Sequence, residues 1–207
     1  MSVDYKLYLV TDRGILKGRN ILNAVEEAIK GGVTLVQLRE KEISSLEFYD
    51  IAIKMKAITK RYKIPLIIND RLDIALAVDA DGLHVGQGDL PVEIARNLLG
   101  RDKILGYSVS TIGEAMYGER MGADYLGAGP VYPTGSKLDA VSPIGIEYFK
   151  SIKESVSIPV VGIGGIGISN IMEMKAFGAD GISLISAILG SNDIQEASRK
   201  LIKLWGK

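Results

Sequence analysis

Short apolar runs rich in β-branched residues alternate with amphipathic stretches along all 207 residues of this chain, and that alternation restricts the fold more than any other feature. Lys6-Leu-Tyr-Leu-Val-Thr-Asp12 reads as a buried strand, and Ile21, Leu22, Val25, Ala28 and Ile29 then recur at helical spacing, with Asn20 placed to cap the helix and Gly31-Gly32 to stop it. The second unit repeats the first. Thr34-Leu-Val-Gln-Leu-Arg39 is followed by a helix from about Ser45 to Tyr62, in which Ser44 and Glu47 have capping-box spacing. Six more strands follow: Pro65 to Asp70, Gly82 to Gly86, Lys103 to Val109, Tyr125 to Gly129, Pro159 to Gly165, and Gly181 to Ala187. The helices between them are expected over Leu72–Val78, Pro91–Leu99, Thr111–Met121, about Gly145–Glu154, Ser169–Phe177 and, last, Asp193–Trp205. Gly122-Ala-Asp and Gly178-Ala-Asp each close a helix and open a strand, an internal echo of one repeated unit. Strict alternation implies parallel pairing, and eight units predict closure into a single (β/α)₈ barrel domain spanning residues 1–207. A doubly wound sheet is the other topology open to such a pattern, but its first strand opens into a glycine-rich phosphate loop, which Thr11-Asp12-Arg13-Gly14 is not.

Composition removes whole classes of chemistry. The chain has no cysteine and one histidine, His84, so thiolate zinc sites, disulfides, cysteine nucleophiles and histidine-rich metal centres are out of reach. Twenty-five basic residues balance twenty-five acidic ones and aromatics are few, which argues against nucleic acid as a partner. No apolar run reaches the roughly eighteen residues that a membrane span needs, and Val3-Asp-Tyr-Lys6 does not read as a leader, so a cytoplasmic location is expected. Whether the chain forms a homo-oligomer is not legible in the sequence.

In a barrel the working residues stand at the carboxyl ends of the strands. Here those ends are polar: Gln37, Arg39 and Lys41 after strand two, Asn69 and Asp70 after strand three, Gln87 and Asp89 after strand four, Ser108 and Ser110 after strand five, and Ser186 after strand eight. Strand six opens into Gly129-Pro-Val-Tyr-Pro-Thr134-Gly-Ser136-Lys137, whose small residues, hydroxyls and lysine suit a bound anion. It is not a Walker loop, because five residues separate Gly129 from Gly135 and Ser136 precedes Lys137. Each residue has an ordinary reading as well. Arg39 and Lys41 would pair with Glu40 and Glu42 in solvent, Asp70 and Asp89 would cap the helices that follow them, Asp12 would be structural, and His84 would be a satisfied core histidine. Together they describe something more specific. Asp70 and Asp89 suit a magnesium ion, with Arg39, Lys41 and Lys137 around a diphosphate, while Gly164-Gly165, a helix starting near Ile168 and Ser186 suit a second phosphate.

These segments are also familiar as a set. Tyr8-Leu-Val-Thr-Asp12, Val36-Gln-Leu-Arg-Glu-Lys41, Ile68-Asn-Asp70, Asp81-Gly-Leu-His-Val-Gly-Gln87 with Asp89-Leu-Pro91, Gly106-Tyr-Ser108, Gly127 to Lys137, Gly162-Ile-Gly-Gly-Ile166 and Ile185-Ser-Ala-Ile188 make the chain resemble the thiamine phosphate synthase family over nearly its whole length. The resemblance implies a Mg²⁺-dependent transferase that joins hydroxymethylpyrimidine diphosphate to a thiazole phosphate, carried as its carboxylate, with release of diphosphate and carbon dioxide. It implies that Gln37, Arg39, Lys41, Asn69, Ser108 and Lys137 hold the pyrimidine diphosphate, that Arg39, Lys41, Ser108 and Lys137 are the catalytic set, and that Asp70 and Asp89 hold the metal. Thr134, Ser136, Gly165, Ile185 and Ser186 would hold the thiazole phosphate. It further implies a dissociative displacement that needs no protein nucleophile. One departure is visible: Thr134-Gly-Ser136 stands where the family commonly shows Thr-x-Thr, and serine keeps the hydroxyl. Alternatives are the related thiazole tautomerase, which needs neither the cationic pair nor the two aspartates, another phosphate-binding isomerase or aldolase barrel, and a non-catalytic sensor of thiamine precursors.

Overall fold

The computed structural model describes residues 3–135 and 142–206, and in it eight parallel strands close into a barrel in chain order, β1 hydrogen-bonded to both β2 and β8. The strands are β1 (Leu7–Val10), β2 (Leu35–Leu38), β3 (Leu66–Asn69), β4 (Gly82–Val85), β5 (Ile104–Val109), β6 (Tyr125–Ala128), β7 (Val160–Ile163) and β8 (Gly181–Leu184). Ten helices among the described residues surround them: α1 (Arg13–Leu16), α2 (Ile21–Lys30), α3 (Ser45–Tyr62), α4 (Leu72–Ala77), α5 (Val92–Leu99), α6 (Ile112–Arg120), α7 (Ile146–Glu154), α8 (Ile171–Ala176), α9 (Ser186–Leu189) and α10 (Ile194–Trp205). Two of these, α1 and α9, are single turns that the periodicity does not announce, because four residues are too few to show a stripe. The last strand is accordingly shorter than expected, ending at Leu184, and α8 starts at Ile171 because Gly165 to Asn170 form a turn in which Asn170 Oδ1 accepts from Gly167 N at 2.8 Å. None of the described helices is long and apolar enough to cross a membrane.

Local signals set most boundaries. Asn20 caps α2 by accepting from Leu22 N and Asn23 N, Ser44 caps α3 through Glu47 N, and Thr111 with Glu114 forms a reciprocal capping box on α6. The Gly-Ala-Asp echo also acquires a cause. Asp124 sends its N–H to Leu105 O and accepts from Leu105 N at 2.7 Å, and Asp180 does the same with Val160, also at 2.7 Å. Asp81 treats Leu66 alike, accepting its N–H at 2.8 Å. Each aspartate thus satisfies an N–H at the start of the preceding strand and pins two neighbouring strands at the barrel's amino end. A cation from the helix that leads into the first of the two strands, Lys56 on α3, Arg96 on α5 or Lys153 on α7, pairs with the carboxylate.

Alternation along the strands separates two apolar regions. Tyr8, Val10, Leu35, Ile67, Tyr125 and Val161 fill the barrel, whereas Leu7, Leu9, Val36, Leu38, Ile68 and Leu83 pack outward under the helices. Above the inner layer every strand end opens toward one face, and the polar residues singled out from the sequence collect there.

Candidate active site

β2 ends at Leu38, and the side chains of the residues that follow, Arg39-Glu40-Lys41, part company before the chain bends. Arg39 and Lys41 face the barrel mouth, and Glu40 turns outward, its side chain only 4% exposed, to accept from Arg13 Nε at 2.8 Å. The expected solvated pairs with Glu40 and Glu42 therefore do not form. Arg39 reaches Asp12 Oδ2 at 3.5 Å, and Lys41 Nζ donates to Asp70 Oδ2 at 2.9 Å. Burial raises the Glu40 carboxyl above its usual range, with Arg13 opposing. Asp12 caps α1 through Ile15 N, as its structural reading held.

Neither Asp70 nor Asp89 is a helix cap. The residues flanking α4 and α5 at their amino ends, Arg71 and Pro91, make no side-chain cap bond. Asp70 sits in the left-handed region at φ 61°, an unusual conformation for a residue with a Cβ, held by its N–H to His84 O at 2.8 Å. Its carboxylate lies within hydrogen-bonding reach of Asp89, whose Oδ2 also accepts from Gly86 N at 2.7 Å. Burial works against ionising Asp70, but the Lys41 ammonium and the shared contact with Asp89 outweigh it and hold this carboxyl below its usual range. Asp89 is raised, first by burial and then by its acidic neighbour. Two hard oxygen donors kept this close despite their charge fit a divalent cation. Among the described residues no cluster of three or more histidine, cysteine or carboxylate side chains forms, so the protein would supply two carboxylates and leave the other positions to water and ligand oxygens.

Two cavities adjoin at this face. One, about 370 Å³, lies over β2 to β5 and is lined by Arg39, Lys41, Asn69, Asp70, Asp89 and Ser108. The other, about 320 Å³, lies over β5 to β8 and includes Thr134, Gly165, Ile185 and Ser186 in its lining. Ser108 and Gln87 line both. Gln87 is fixed there by donating to Ser108 O and accepting from Tyr107 OH, each at 2.9 Å. Gly165, at φ 66°, is required by its turn: a Cβ would stand 2.6 Å from Pro133 O. Ser186 opens α9 directly after β8, and Ser183 Oγ, on the same side, is the one buried side-chain polar atom without a partner among the described residues. Ser136 and Lys137 lie outside the described residues.

Gln37 is 4% exposed, one layer below Arg39, and its Nε2 donates to Tyr8 OH at 2.6 Å. From Tyr8 the contacts continue to Tyr125 and to His84, which is buried and bonded as a core histidine would be, yet also lines the cationic cavity. Within their strands the two tyrosines read as ordinary apolar residues. The available signal was that a buried tyrosine hydroxyl needs a partner.

A closed parallel barrel with two adjoining cavities at its carboxyl face, one cationic with paired carboxylates and one edged by glycine and serine, has the layout of a (β/α)₈ enzyme acting on small molecules. The family model described as thiamine monophosphate synthase matches residues 7–188, and the chain belongs to that family. It is similar to the thiamine-phosphate synthase of Desulfitobacterium hafniense, 59% identical over 205 residues covering 99% of each chain. The Clostridium acetobutylicum thiamine-phosphate synthase is 57% identical over 206 residues, covering 100% of this chain and 97% of that one. Among solved structures, a thiamine phosphate pyrophosphorylase from Pyrococcus furiosus superposes with a TM-score of 0.90 at 41% identity, covering 98% of this chain and 96% of that chain. The tautomerase and sensor alternatives gain no support from relatives that span the whole chain under the synthase name.

Proposed function

We propose that this transferase is a thiamine phosphate synthase that seats the pyrimidine diphosphate in the cavity over β2 to β5 and the thiazole phosphate in the cavity over β5 to β8, and joins them where the two meet. The observation that carries this reading is the partition itself. Arg39, Lys41, Asn69, Asp70 and Asp89 line one cavity, Thr134, Gly165, Ile185 and Ser186 line the other, and Ser108 stands between them.

In this reading Arg39 and Lys41 bind the diphosphate and stabilise the charge it carries away, a task that preorganised cations perform best in a site shielded from water. Lys137 and Ser136 would add to the two anion sites from the loop after β6. Asp70 and Asp89 would hold Mg²⁺, which when bound supplies further neutralisation of the leaving group. To release Lys41 to the substrate, its bond to Asp70 must exchange, and both groups are at the cavity wall where that is possible. Asn69 and Ser108 at the cavity wall, with Gln37 one layer below them, orient the pyrimidine so that its methylene faces the acceptor, and Gly165, Ile185 and Ser186 hold the thiazole phosphate in line. Departure of diphosphate then leaves a cation stabilised by the electron-rich ring, captured by the thiazole nitrogen, with carbon dioxide lost when the acceptor is carboxylated. No side chain needs to act as a nucleophile, which suits a chain without cysteine.

A partition predicts a split in kinetics. Lys41→Ala should raise KM for the pyrimidine diphosphate at least tenfold, on the order of one charge-assisted contact, with little change for the thiazole phosphate, and Ser186→Ala should do the reverse. Equal effects of either variant on both substrates would refute the two-cavity assignment. The reading places the enzyme in the cytoplasm as one barrel domain, and includes a homo-oligomer: Ile94 and Leu98, one turn apart on α5, are exposed apolar residues that a second copy would cover. Light scattering that gives the mass of a single chain would remove that part.

A further inference from the structure

Five side chains from five strands or strand ends make one continuous hydrogen-bonded chain across the barrel. Gln37 Nε2 donates to Tyr8 OH at 2.6 Å, Tyr8 OH meets Tyr125 OH at 2.7 Å, Tyr125 OH meets His84 Nδ1 at 2.9 Å, and His84 Nε2 meets Ser108 Oγ at 2.8 Å. Tyr8, Tyr125 and His84 are all buried, and the chain ends at the residue that lines both cavities. We propose that Tyr8, Tyr125 and His84 are positioning residues that hold Ser108 with its hydroxyl hydrogen aimed at the pyrimidine-bearing substrate. The proposal rests on the synthase reading and goes beyond it by assigning work to three residues that neither substrate site required.

The polarity follows from counting hydrogens. Each tyrosine hydroxyl has one hydrogen to give. Because Tyr8 oxygen accepts from the Gln37 amide, its own hydrogen goes to the neighbouring oxygen, that of Tyr125. Tyr125 then spends its hydrogen on His84 Nδ1, so the imidazole hydrogen sits on Nε2 and is donated to Ser108 Oγ. Ser108 has accepted a bond and keeps its own hydrogen for a ligand acceptor. The reversed chain would put the imidazole hydrogen on Nδ1, take the hydrogen of Ser108 for His84 Nε2, and leave Ser108 able only to accept. Which of the two exists therefore decides what Ser108 can do for a substrate. The order is kept by burial and packing.

Packing is built around this chain. A Cβ on Gly106 would lie 2.2 Å from Tyr125 Cζ and 2.4 Å from His84 Nδ1, and one on Gly127 would lie 3.3 Å from His84 Cε1. Inward positions of β5 and β6 are thus kept bare where the imidazole and the phenol cross the barrel, and the Tyr125 ring is further clamped against Tyr5 and Tyr8 with centroids 4.9 and 5.9 Å away.

His84 is the only histidine in the chain, so isotope labelling of histidine nitrogens gives one imidazole to read by magnetic resonance in the full-length protein. The expected result is a hydrogen on Nε2 and a bare Nδ1; a hydrogen on Nδ1 overturns the proposal. A double-mutant cycle supplies the second reading. Tyr125→Phe should lower kcat/KM for the pyrimidine diphosphate about tenfold in the wild type, the scale of one hydrogen bond, and have almost no effect in a Ser108→Ala background. An equal loss in both backgrounds would show that Tyr125 acts only through general packing, and would also overturn it. Absence of turnover in the wild type would count against the synthase reading, and the imidazole hydrogen would still decide the polarity.

Discussion

Asp89 is placed where its charge is least comfortable, half-buried beside a second carboxylate, and the N–H of Gly86 donates to it at 2.7 Å. Removing it should cost the fold about 1 kcal/mol, the net worth of one such bond. If Asp89 serves Mg²⁺ and the leaving diphosphate, Asp89→Ala should lower turnover by roughly a thousandfold, about 4 kcal/mol of transition-state stabilisation, while the melting curve stays close to wild type. Full activity with unchanged magnesium dependence would remove Asp89 from the site. The residue scale is also where reading the sequence fell short in an instructive way. Arg39 and Lys41 were legible as site cations because they follow a strand, but their partners Asp12 and Asp70 were not, since those contacts join residues 27 and 29 positions apart. Likewise the bond from Tyr8 to Tyr125 spans 117 positions, and nothing local in either strand marks it.

Elements were legible because their signals are local. The Ser44 cap, the Thr111 and Glu114 capping box and the Asn20 cap each lie within three residues of the helix start they fix, so the helices over Ser45–Tyr62 and from Thr111 could be placed closely from sequence. Single-turn α1 and α9 carry no such pattern and emerge only from tertiary context. The aspartates at strand starts belong to this scale too. Asp180→Ala would leave Val160 N–H without its acceptor and detach Lys153 from its carboxylate, so we expect a loss of about 1–3 kcal/mol by denaturant titration, with substrate KM values unchanged because the barrel's amino end is remote from the cavities. No loss of stability would mean that the backbone N–H finds water instead. Gly106→Ala tests the barrel interior in the same way. Its methyl must displace Tyr125 or His84, and overpacking of this kind should cost about 1–3 kcal/mol together with a drop in kcat/KM.

At the scale of the whole molecule, closure of eight strands brings residues from 37 to 186 onto one face, which is why a list of strand ends compiled from the sequence already contained most of both cavity linings. What the list could not supply was adjacency: that the linings form two chambers, and that Ser108 and Gln87 belong to both. Two chambers sharing a wall are what a condensation of two phosphorylated substrates requires and what a one-substrate isomerisation does not. The most direct measurement is diphosphate release by the purified protein, with thiamine phosphate followed by mass, in the presence of the pyrimidine diphosphate, the carboxylated thiazole phosphate, both, and both without magnesium. The account predicts diphosphate and product in equal amounts only when both substrates and the metal are present. Steady turnover of either substrate alone, or no product from folded protein that binds the thiazole phosphate, would contradict it.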